Sequence, residues 1–220
     1  MKPSAPEPSL MTPEEFAAAS SVSRETLERL KAYDAVLLEQ SAKHNLVARS
    51  TLPDRWRRHY LDSAQLFPLI PASAKSLIDL GAGAGFPGLV LAAMGAERRL
   101  EVMLVESTGK KAAFLREAAA VMGLDNVSVI PQRIENLHIP PPDVIVARAL
   151  APLAKLLAYA HEIAGQKTLC LFLKGQDVEA ELTEASKSWH TDIVQYPSAT
   201  SAGSTILAVR HIAPATRSRP

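Results

Sequence analysis

The spacing of apolar residues along the chain changes near Pro71. Before this position, apolar residues recur at near-helical intervals, as in Leu27, Leu30, Leu37 and Leu38, which indicates amphipathic helices. After it, short apolar runs alternate with segments of helical length. Strands that alternate with helices are typical of βαβ units and a mainly parallel sheet. The pattern therefore predicts an α/β protein with an N-terminal helical cap.

Three helices are predicted within this cap. The first begins with a capping box, in which Thr12 and Glu15 satisfy each other's backbone amides. A longer helix is expected to begin at Ser23, and Pro53 is expected to open a third helix because proline suits the first helical turn.

Seven strands are predicted after the cap. The first five show little polar alternation, which fits a sheet with helices on both faces. Two late strands, joined by a loop with Pro197 and Gly203, are expected to pair antiparallel at one edge. The predicted fold is therefore a doubly wound, mainly parallel, seven-stranded Rossmann-like sheet. The first five strands are expected at residues 76–80, 100–105, 127–130, 144–147 and 169–173, and the late pair near 193–194 and 205–209.

The length of 220 residues suits one catalytic domain plus an extension. Cys170 is the only cysteine, so no internal disulfide can form. Because the chain also starts without an apolar leader and has no apolar stretch of membrane-spanning length, we expect a cytoplasmic protein. The expected parts are a disordered tail at 1–11, the helical cap at 12–70, a catalytic domain at 71–213 and a basic tail at 214–220.

Positive charge is concentrated in the cap, although the net charge of the chain is only +1. Between Lys43 and Arg58, five Lys/Arg residues stand against the single acid Asp54, a local excess of +4. This stretch is either a surface that contacts nucleic-acid phosphates or a solvated helix face. Charge alone does not separate the two interpretations.

A glycine-rich turn follows the first strand and opens a helix. Gly81, Gly83 and Gly85 allow a tight turn and a close approach of a ligand to the backbone, and ligands of doubly wound folds bind at the carboxyl ends of the strands. A dinucleotide motif needs a third glycine where Phe86 stands, and no Lys-Ser/Thr pair of a P-loop follows Gly88. The turn therefore favours a nucleoside ligand without a pyrophosphate.

The second predicted strand ends at Glu106, on the edge of the sheet where the glycine-rich turn also lies. A carboxylate there can accept hydrogen bonds from two ribose hydroxyls, although Glu106 could instead cap the helix that starts near Ser107. Ribose and adenine without phosphates point to S-adenosylmethionine as the cofactor. The histidines show no metal-ligand spacing, so no metal is predicted.

The side chains available for catalysis restrict the methyl acceptor. Carbon 5 of cytosine requires a cysteine nucleophile, whereas Cys170 lies within an apolar strand pattern. Exocyclic amines usually call for an Asn/Asp-Pro-Pro-aromatic loop after the fourth strand, where this chain has Ala147, Arg148 and Ala149. These side chains exclude two acceptors but do not identify the acceptor base on physical grounds.

Short motifs in a specific order and spacing extend from about Lys43 to Gly175, more than half of the chain. They are KHNL (43–46), RHYLDS (58–63), GAGAGFPG (81–88), ES (106–107) with KK (110–111), FLR (114–116), RIE (133–135), ARA (147–149) and LKG (173–175). In these motifs the chain resembles the RsmG (GidB) family of 16S rRNA guanine-N7 methyltransferases. The resemblance implies a Rossmann-like methyltransferase sheet.

The resemblance also implies which residues contact the cofactor. The family usually carries Asp at the end of the second strand, where this chain has Glu106. Arg148, at the end of the fourth strand, would reach an anionic group or form a buried salt bridge with a local acid. Together with the turn and strand-end argument, the expected cofactor-binding residues are Gly81, Gly83, Phe86, Glu106, Ile134, Glu135 and Arg148.

Near the substrate RNA, the resemblance implies Arg58, His59, Asp62 and Lys174. Lys174 is expected to contact a phosphate at the open edge of the site. Alternatively, His59 and Asp62 form a hydrogen-bonded pair that holds the cap to the core.

The function implied by the resemblance is methyl transfer to N7 of a guanine in the decoding-region loop of 16S rRNA. Because guanine N7 carries a lone pair and no proton, catalysis by positioning is expected, with no general base. The expected partner is this RNA within a small-subunit particle or an assembly intermediate, with no DNA, no membrane and a monomeric enzyme. Two alternatives stay open: a methyltransferase of another substrate, and a non-enzymatic RNA-binding ribosome-assembly factor with a relict cofactor pocket.

Overall fold

The computed structural model describes residues 10–43 and 46–215. Most of the tails expected at 1–11 and 214–220 therefore lies outside the described residues, as do His44 and Asn45 of the KHNL motif. Within the two described ranges, no helix has both the length and the apolar character needed to cross a membrane. The same ranges contain no cluster of three or more His, Cys, Asp or Glu side chains that could hold a metal ion.

The cap begins with helices α1 (Pro13–Ser20) and α2 (Arg24–Lys43). The predicted capping box is confirmed, because the Thr12 hydroxyl accepts a hydrogen bond from the Glu15 amide at 3.1 Å. In return, the Glu15 carboxylate accepts one from the Thr12 amide at 2.8 Å. These two bonds fix the entry of the chain into α1.

Helix α2 buries one stripe of the predicted apolar face. Leu27, Leu30 and Leu37 are buried, whereas Leu38 is 40% exposed. The expectation for Leu38 was wrong because adjacent residues point about 100° apart around an α-helix. Leu37 occupies the inward direction, so Leu38 faces outward.

The segment after Pro53 differs from the predicted α-helix. A π-helix spans Trp56–Leu61 and leads into a single α-helical turn, α3 (Asp62–Ala64). The rings of Trp56 and Tyr60 stack with centroids 4.2 Å apart. A four-residue spacing of inward side chains suits a turn of either helix type, so the sequence pattern does not separate them.

Seven strands form the sheet: β1 (Ser76–Leu80), β2 (Glu101–Val105), β3 (Val127–Ile130), β4 (Val144–Arg148), β5 (Leu169–Lys174), β6 (Trp189–Pro197) and β7 (Thr205–Pro214). Their order is β3-β2-β1-β4-β5-β7-β6. Strands β1 to β5 are parallel, whereas β7 runs antiparallel to both β5 and β6. This arrangement confirms the predicted doubly wound, mainly parallel fold.

Helices cover both faces of the sheet, and three short 3₁₀ helices lie in the connections. The remaining helices are α4 (Gly88–Gly95), α5 (Gly109–Val121), α6 (Leu153–Ile163) and α7 (Val178–Ser186). The 3₁₀ helices lie at Arg49–Thr51, Phe67–Leu69 and Ile134–Asn136.

The two late strands are longer than predicted. Most residues of β6 are exposed or half-buried, so its apolar pattern is weak. Backbone pairing with β7 extends β6 from Trp189 to Pro197, even where no apolar face marks it. Strand β7 in turn reaches Pro214, the first residue of the expected basic tail.

Two apolar clusters lie on the two faces of the sheet. One includes Leu77 of β1 together with α4, α5 and the cap residues Tyr33 and Trp56. The other includes Ile78 of β1 together with Leu157 of α6 and residues of α7. The helical cap therefore has no separate core, because its apolar side chains are buried in the same cluster as one face of the sheet.

Candidate active site

A cavity of about 450 Å³ lies beside the glycine-rich turn that follows β1. Strands β1 and β4 are neighbours in the sheet, but the chain continues from β1 towards β2 and from β4 towards β5. The order of strands thus reverses between β1 and β4, and such a switch point opens a crevice for a ligand. The structure brings all seven expected cofactor-binding residues to this cavity: Gly81, Gly83, Phe86, Glu106, Ile134, Glu135 and Arg148.

Positive φ angles in the turn explain its glycines. Gly81 has φ 68° and Gly83 has φ 57°, in the left-handed region that disfavours residues with a Cβ atom. A Cβ atom added at Gly81 would lie 2.5 Å from Leu150 Cδ1. One added at Gly83 would meet only the Gly81 carbonyl oxygen, 3.7 Å away, and would otherwise enter open space. The wall of the cavity at Gly83 is therefore bare backbone.

Glu106 connects the glycine-rich turn to the start of α5. One carboxylate oxygen accepts a hydrogen bond from the Gly83 amide at 3.0 Å, and the other accepts one from the Thr108 amide at 2.7 Å. Each oxygen of a carboxylate has two lone pairs, so Glu106 retains acceptor capacity at the cavity wall. The Thr108 amide lies just before the first turn of α5, so Glu106 fixes the segment that leads into the helix but does not cap the helix itself.

Asp79 is a buried carboxyl group that the sequence reasoning did not single out as a site residue. Its Oδ2 atom accepts a hydrogen bond from the Gly88 amide at 2.8 Å, whereas Oδ1 is buried and has no hydrogen-bond partner among the described residues. Burial raises the pKa of Asp79 to about 7, while the Gly88 hydrogen bond and the charge of Arg148 act in the opposite direction. The signal in the sequence was an acid inside an otherwise apolar strand.

The opposite wall of the cavity contains two further residues that the sequence did not indicate. Tyr159 donates a hydrogen bond from its hydroxyl to the Glu135 carboxylate at 2.8 Å. The ammonium of Lys155 lies 5.3 Å from the centre of the Tyr159 ring. Both residues belong to α6, which follows β4, so only the fold brings them to Ile134 and Glu135.

Arg148 stands where the sheet, the cap and the cavity meet. Its NH1 group donates to the Arg58 carbonyl at 3.2 Å and to His59 Nδ1 at 3.0 Å, and it lies 3.5 Å from Asp62 Oδ2. The guanidinium also lies 5.1 Å from the centre of the Phe86 ring. Arg148 is thus partly neutralised by a local acid, as one of the two sequence interpretations held, and it still lines the cavity.

His59 is held as a neutral imidazole. Burial, followed by the charges of Arg148 and Arg58, lowers its pKa to about 3. Since Nδ1 accepts from Arg148, the proton resides on Nε2, which lies 2.8 Å from the Thr51 hydroxyl. Among the described residues, His59 and Asp62 form no direct hydrogen bond with each other. Arg148 contacts both side chains instead.

Lys174 does not lie with the other expected substrate residues. Its ammonium contacts the Glu181 carboxylate at 2.6 Å and donates to the Ala151 carbonyl at 3.1 Å, and its side chain is only 9% exposed. The expectation of an open-edge lysine was wrong because α7 covers the end of β5 and brings an acid to it.

Cys170, in the middle of β5, is buried, and burial raises the pKa of its thiol to about 12.

The sheet order and the glycine-rich turn with an acidic neighbouring strand end define a class of proteins, the S-adenosylmethionine-dependent methyltransferases. A methyltransferase of this kind from Aquifex aeolicus aligns with a TM-score of 0.56 and 17% identity, over 72% of this chain and 94% of that chain. An O-methyltransferase from Bacillus cereus, solved in complex with SAH, aligns with a TM-score of 0.55 and 15% identity, over 91% of this chain and 100% of that chain. At such identities the likeness shows the fold.

The family described as GidB, rRNA small subunit methyltransferase G, matches residues 26–212. The chain belongs to this family. A ribosomal RNA small subunit methyltransferase G from Paramagnetospirillum magneticum is 50% identical over 92% of this chain and 97% of its own length. One from Rhodospirillum rubrum is 48% identical over 92% of this chain and 98% of its own length. The protein is therefore an S-adenosylmethionine-dependent methyltransferase of the rRNA-modifying class.

Proposed function

We propose that this protein transfers a methyl group from S-adenosylmethionine to N7 of a guanine in 16S rRNA, acting as a monomer on a small-subunit particle or an assembly intermediate. The observation that carries the choice of acceptor atom is the state of His59. Both ring nitrogens of His59 are engaged within the protein, Nδ1 with Arg148 NH1 at 3.0 Å and Nε2 with the Thr51 hydroxyl at 2.8 Å. Burial also lowers the pKa of this imidazole to about 3, so it is a poor proton acceptor at neutral pH. An acceptor atom with a free lone pair and no proton suits a site of this kind.

The cavity at the β1–β4 switch point suits a cationic nucleoside. The backbone at Gly81 and Gly83 leaves room for close approach, and Glu106 retains lone pairs for ribose hydroxyls. We assign the adenine end to Ile134 and Glu135.

Phe86 and Arg148 border the same cavity, and we assign them to the methionine end of the cofactor. The bound cofactor supplies an electrophilic methyl group on a sulfonium. The guanine N7 lone pair forms the new N–C bond while the C–S bond breaks and its electron pair stays on sulfur. No proton leaves the base, and the positive charge passes to the purine. The protein's task is to align the base and to exclude water, which can contribute several kcal/mol.

Mapping of N7-methylguanosine in 16S rRNA tests this proposal. A strain that lacks the protein is expected to lose one such mark, and the wild-type gene is expected to restore it. The gene for the Gly83→Ala variant is expected not to restore the mark. Its added methyl group enters the cavity, and an alanine at positive φ costs about 1 kcal/mol. Calorimetry should show S-adenosylmethionine affinity reduced by roughly tenfold or more.

The Gly109→Ala variant provides a matched control. Gly109 opens α5, and a Cβ atom added there meets nothing within 4 Å. This variant is expected to bind the cofactor and restore the mark as the wild type does. A strain without the protein that keeps all its N7-methylguanosine in 16S rRNA would contradict the proposal.

A further inference from the structure

A second cavity of about 390 Å³ adjoins the cofactor cavity. Leu46, Val47, Arg148 and Ala149 line both cavities, so the two cavities border each other at these residues. The volume lies within the range of cavities that hold small molecules. A group bound in the second cavity is therefore adjacent to one bound in the first.

Polar groups of three separate parts of the chain line this second cavity. The cap contributes Arg58, His59 and Asp62, β4 contributes Arg148, and the loop between β6 and β7 contributes hydroxyl groups. Among the described lining residues, Asp62 is the only carboxylate. The hydroxyl-bearing residues of the loop are Thr200, Ser201 and Ser204.

Asp62 is fixed from one side by this loop. Its Oδ1 atom accepts a hydrogen bond from the Thr200 hydroxyl at 2.6 Å and one from Gln65 Nε2 at 2.9 Å. Gln65 also accepts from the Ala199 amide at 2.8 Å and donates to the Ser198 hydroxyl at 3.2 Å. The loop and the cap thus hold the carboxylate in one orientation.

The second oxygen of Asp62 is available as an acceptor. Its only contact among the described residues is Arg148 NH1 at 3.5 Å, at the upper limit for a hydrogen bond. The Asp62 side chain is 17% exposed, so it is accessible from the cavity without being surrounded by water. A carboxylate oxygen in this state favours a ligand that brings N–H donors.

We propose that the second cavity holds the acceptor guanine and that the available Oδ2 atom of Asp62 accepts hydrogen bonds from its N1–H and 2-amino groups. Thr200 holds the carboxylate in the orientation that this contact requires. This inference rests on the proposed guanine-N7 activity. In guanine, N1 and the 2-amino group lie on the edge opposite N7. A base held by Asp62 through that edge therefore directs N7 away from the carboxylate, towards the border that this cavity shares with the cofactor cavity.

The same contact strengthens during the reaction. As N7 gains the methyl group, the purine becomes positively charged and its N1–H and 2-amino groups become better donors. The fixed carboxylate of Asp62 therefore stabilises the transition state more than the bound substrate, which lowers the barrier. Loss of the carboxylate is expected to reduce kcat as well as to raise KM.

The test compares guanosine with inosine, which lacks the 2-amino group but keeps N7. The methylated guanosine is located first, and small-subunit RNA is ligated with inosine at that position. Loss of one hydrogen bond to a charged group is expected to reduce the wild-type kcat/KM by roughly tenfold or more. The Asp62→Asn variant is expected to methylate guanosine roughly tenfold less well, and to treat the two RNAs almost alike.

Two further variants separate recognition from folding. Thr200→Val keeps the Asp62 carboxylate but removes the bond that orients it, so the inosine penalty is expected to become smaller. Asp192→Asn, on the exposed part of β6, is the matched control and is expected to keep the wild-type penalty. All variants are expected to bind S-adenosylmethionine with wild-type affinity in calorimetry.

The outcomes distinguish the two proposals. If the wild-type protein methylates no guanine at N7, the proposed function itself is overturned. If it methylates guanosine but shows no inosine penalty, or if Asp62→Asn shows the full penalty, only the assignment of Asp62 is overturned.

Discussion

At the scale of single residues, two carboxyl groups at neighbouring strand ends have different surroundings. Both oxygens of Glu106 accept backbone hydrogen bonds, whereas one oxygen of Asp79 is buried and has no hydrogen-bond partner within the described part of the chain. The identity and position of Glu106 were sufficient to predict its place in the site. The state of Asp79 depends on which groups surround it, and sequence does not specify those groups.

A pH-dependent stability follows from Asp79. Its pKa rises from 3.8 in the unfolded chain to about 7 in the folded protein. The unfolded chain therefore releases this proton first, so the wild-type protein is expected to lose stability as the pH rises from about 4 to 7. At 1.36 kcal/mol per pKa unit, the loss relative to Asp79→Asn is expected to reach about 4 kcal/mol.

Denaturant unfolding of the cofactor-free protein from pH 4 to 8 checks this expectation. The asparagine variant keeps an acceptor for the Gly88 amide but has no titrating group, so it serves as the reference at every pH. If the two proteins give parallel curves of unfolding free energy against pH, Asp79 does not have a raised pKa.

At the scale of elements, side chains at strand ends and helix starts join neighbouring elements to one another. The Lys174–Glu181 pair joins the end of β5 to α7, and the Glu181 carboxylate also accepts from the Leu153 amide at the start of α6. One ion pair thus fixes three elements on the side of the sheet away from the cap. In this position Lys174 forms an ion pair within the protein, although its place in the LKG motif suggested a contact with substrate RNA.

Replacement of Lys174 by methionine is expected to affect stability rather than RNA binding. Without the lysine, the partly buried Glu181 carboxylate loses its ion-pair partner and keeps only the Leu153 amide as a donor. The free energy of unfolding should fall by about 2–3 kcal/mol, with a lower melting temperature. The slope of log K against log salt for RNA binding should stay unchanged. The matched variant Arg58→Met, at an exposed position, should lower that slope by about 1 if Arg58 contacts a phosphate.

Differential scanning calorimetry and filter binding at several salt concentrations measure the two effects. A reduced salt slope in Lys174→Met would show that this lysine does contact RNA. The result would require α7 to move away from the end of β5.

At the scale of the whole molecule, the cap and the sheet behave as one hydrophobic unit. Tyr33 of α2 donates its hydroxyl to the Ala84 carbonyl in the glycine-rich turn, and its ring lies 5.3 Å from that of Phe86. The cap therefore supports the glycine-rich turn that borders the first cavity. The predicted boundary between residues 70 and 71 does separate the cap helices from the strands. One apolar cluster nevertheless includes residues from both sides of this boundary.

This continuity predicts a single unfolding transition. Trp56 lies in the cap and Trp189 lies at the far edge of the sheet, and they are the only two tryptophans. The variants Trp56→Phe and Trp189→Phe each leave one reporter. Fluorescence and circular dichroism are expected to give coincident denaturant midpoints within each variant, because the shared cluster couples the two regions. A cap signal that is lost before the sheet signal would show two independent units.

The sequence by itself determined the α/β class, the five parallel strands, the glycine-rich turn and the place of Glu106 beside it. Each of these depends on local information: apolar periodicity, glycines that allow positive φ, and acids at strand ends. The other expected residues of the cavity, Phe86, Ile134, Glu135 and Arg148, were implied by the family resemblance and not by the local pattern.

Tertiary structure decided the π-helix, the buried roles of Lys174 and Asp79, and the contacts of Arg148 with His59 and Asp62. The contacts of Lys174 and Arg148 arise because polar groups far apart in sequence meet at low exposure, where the partner of each group sets its role. The state of Asp79 arises from its burial, and the π-helix from backbone pairing that the apolar spacing does not distinguish from an α-helix.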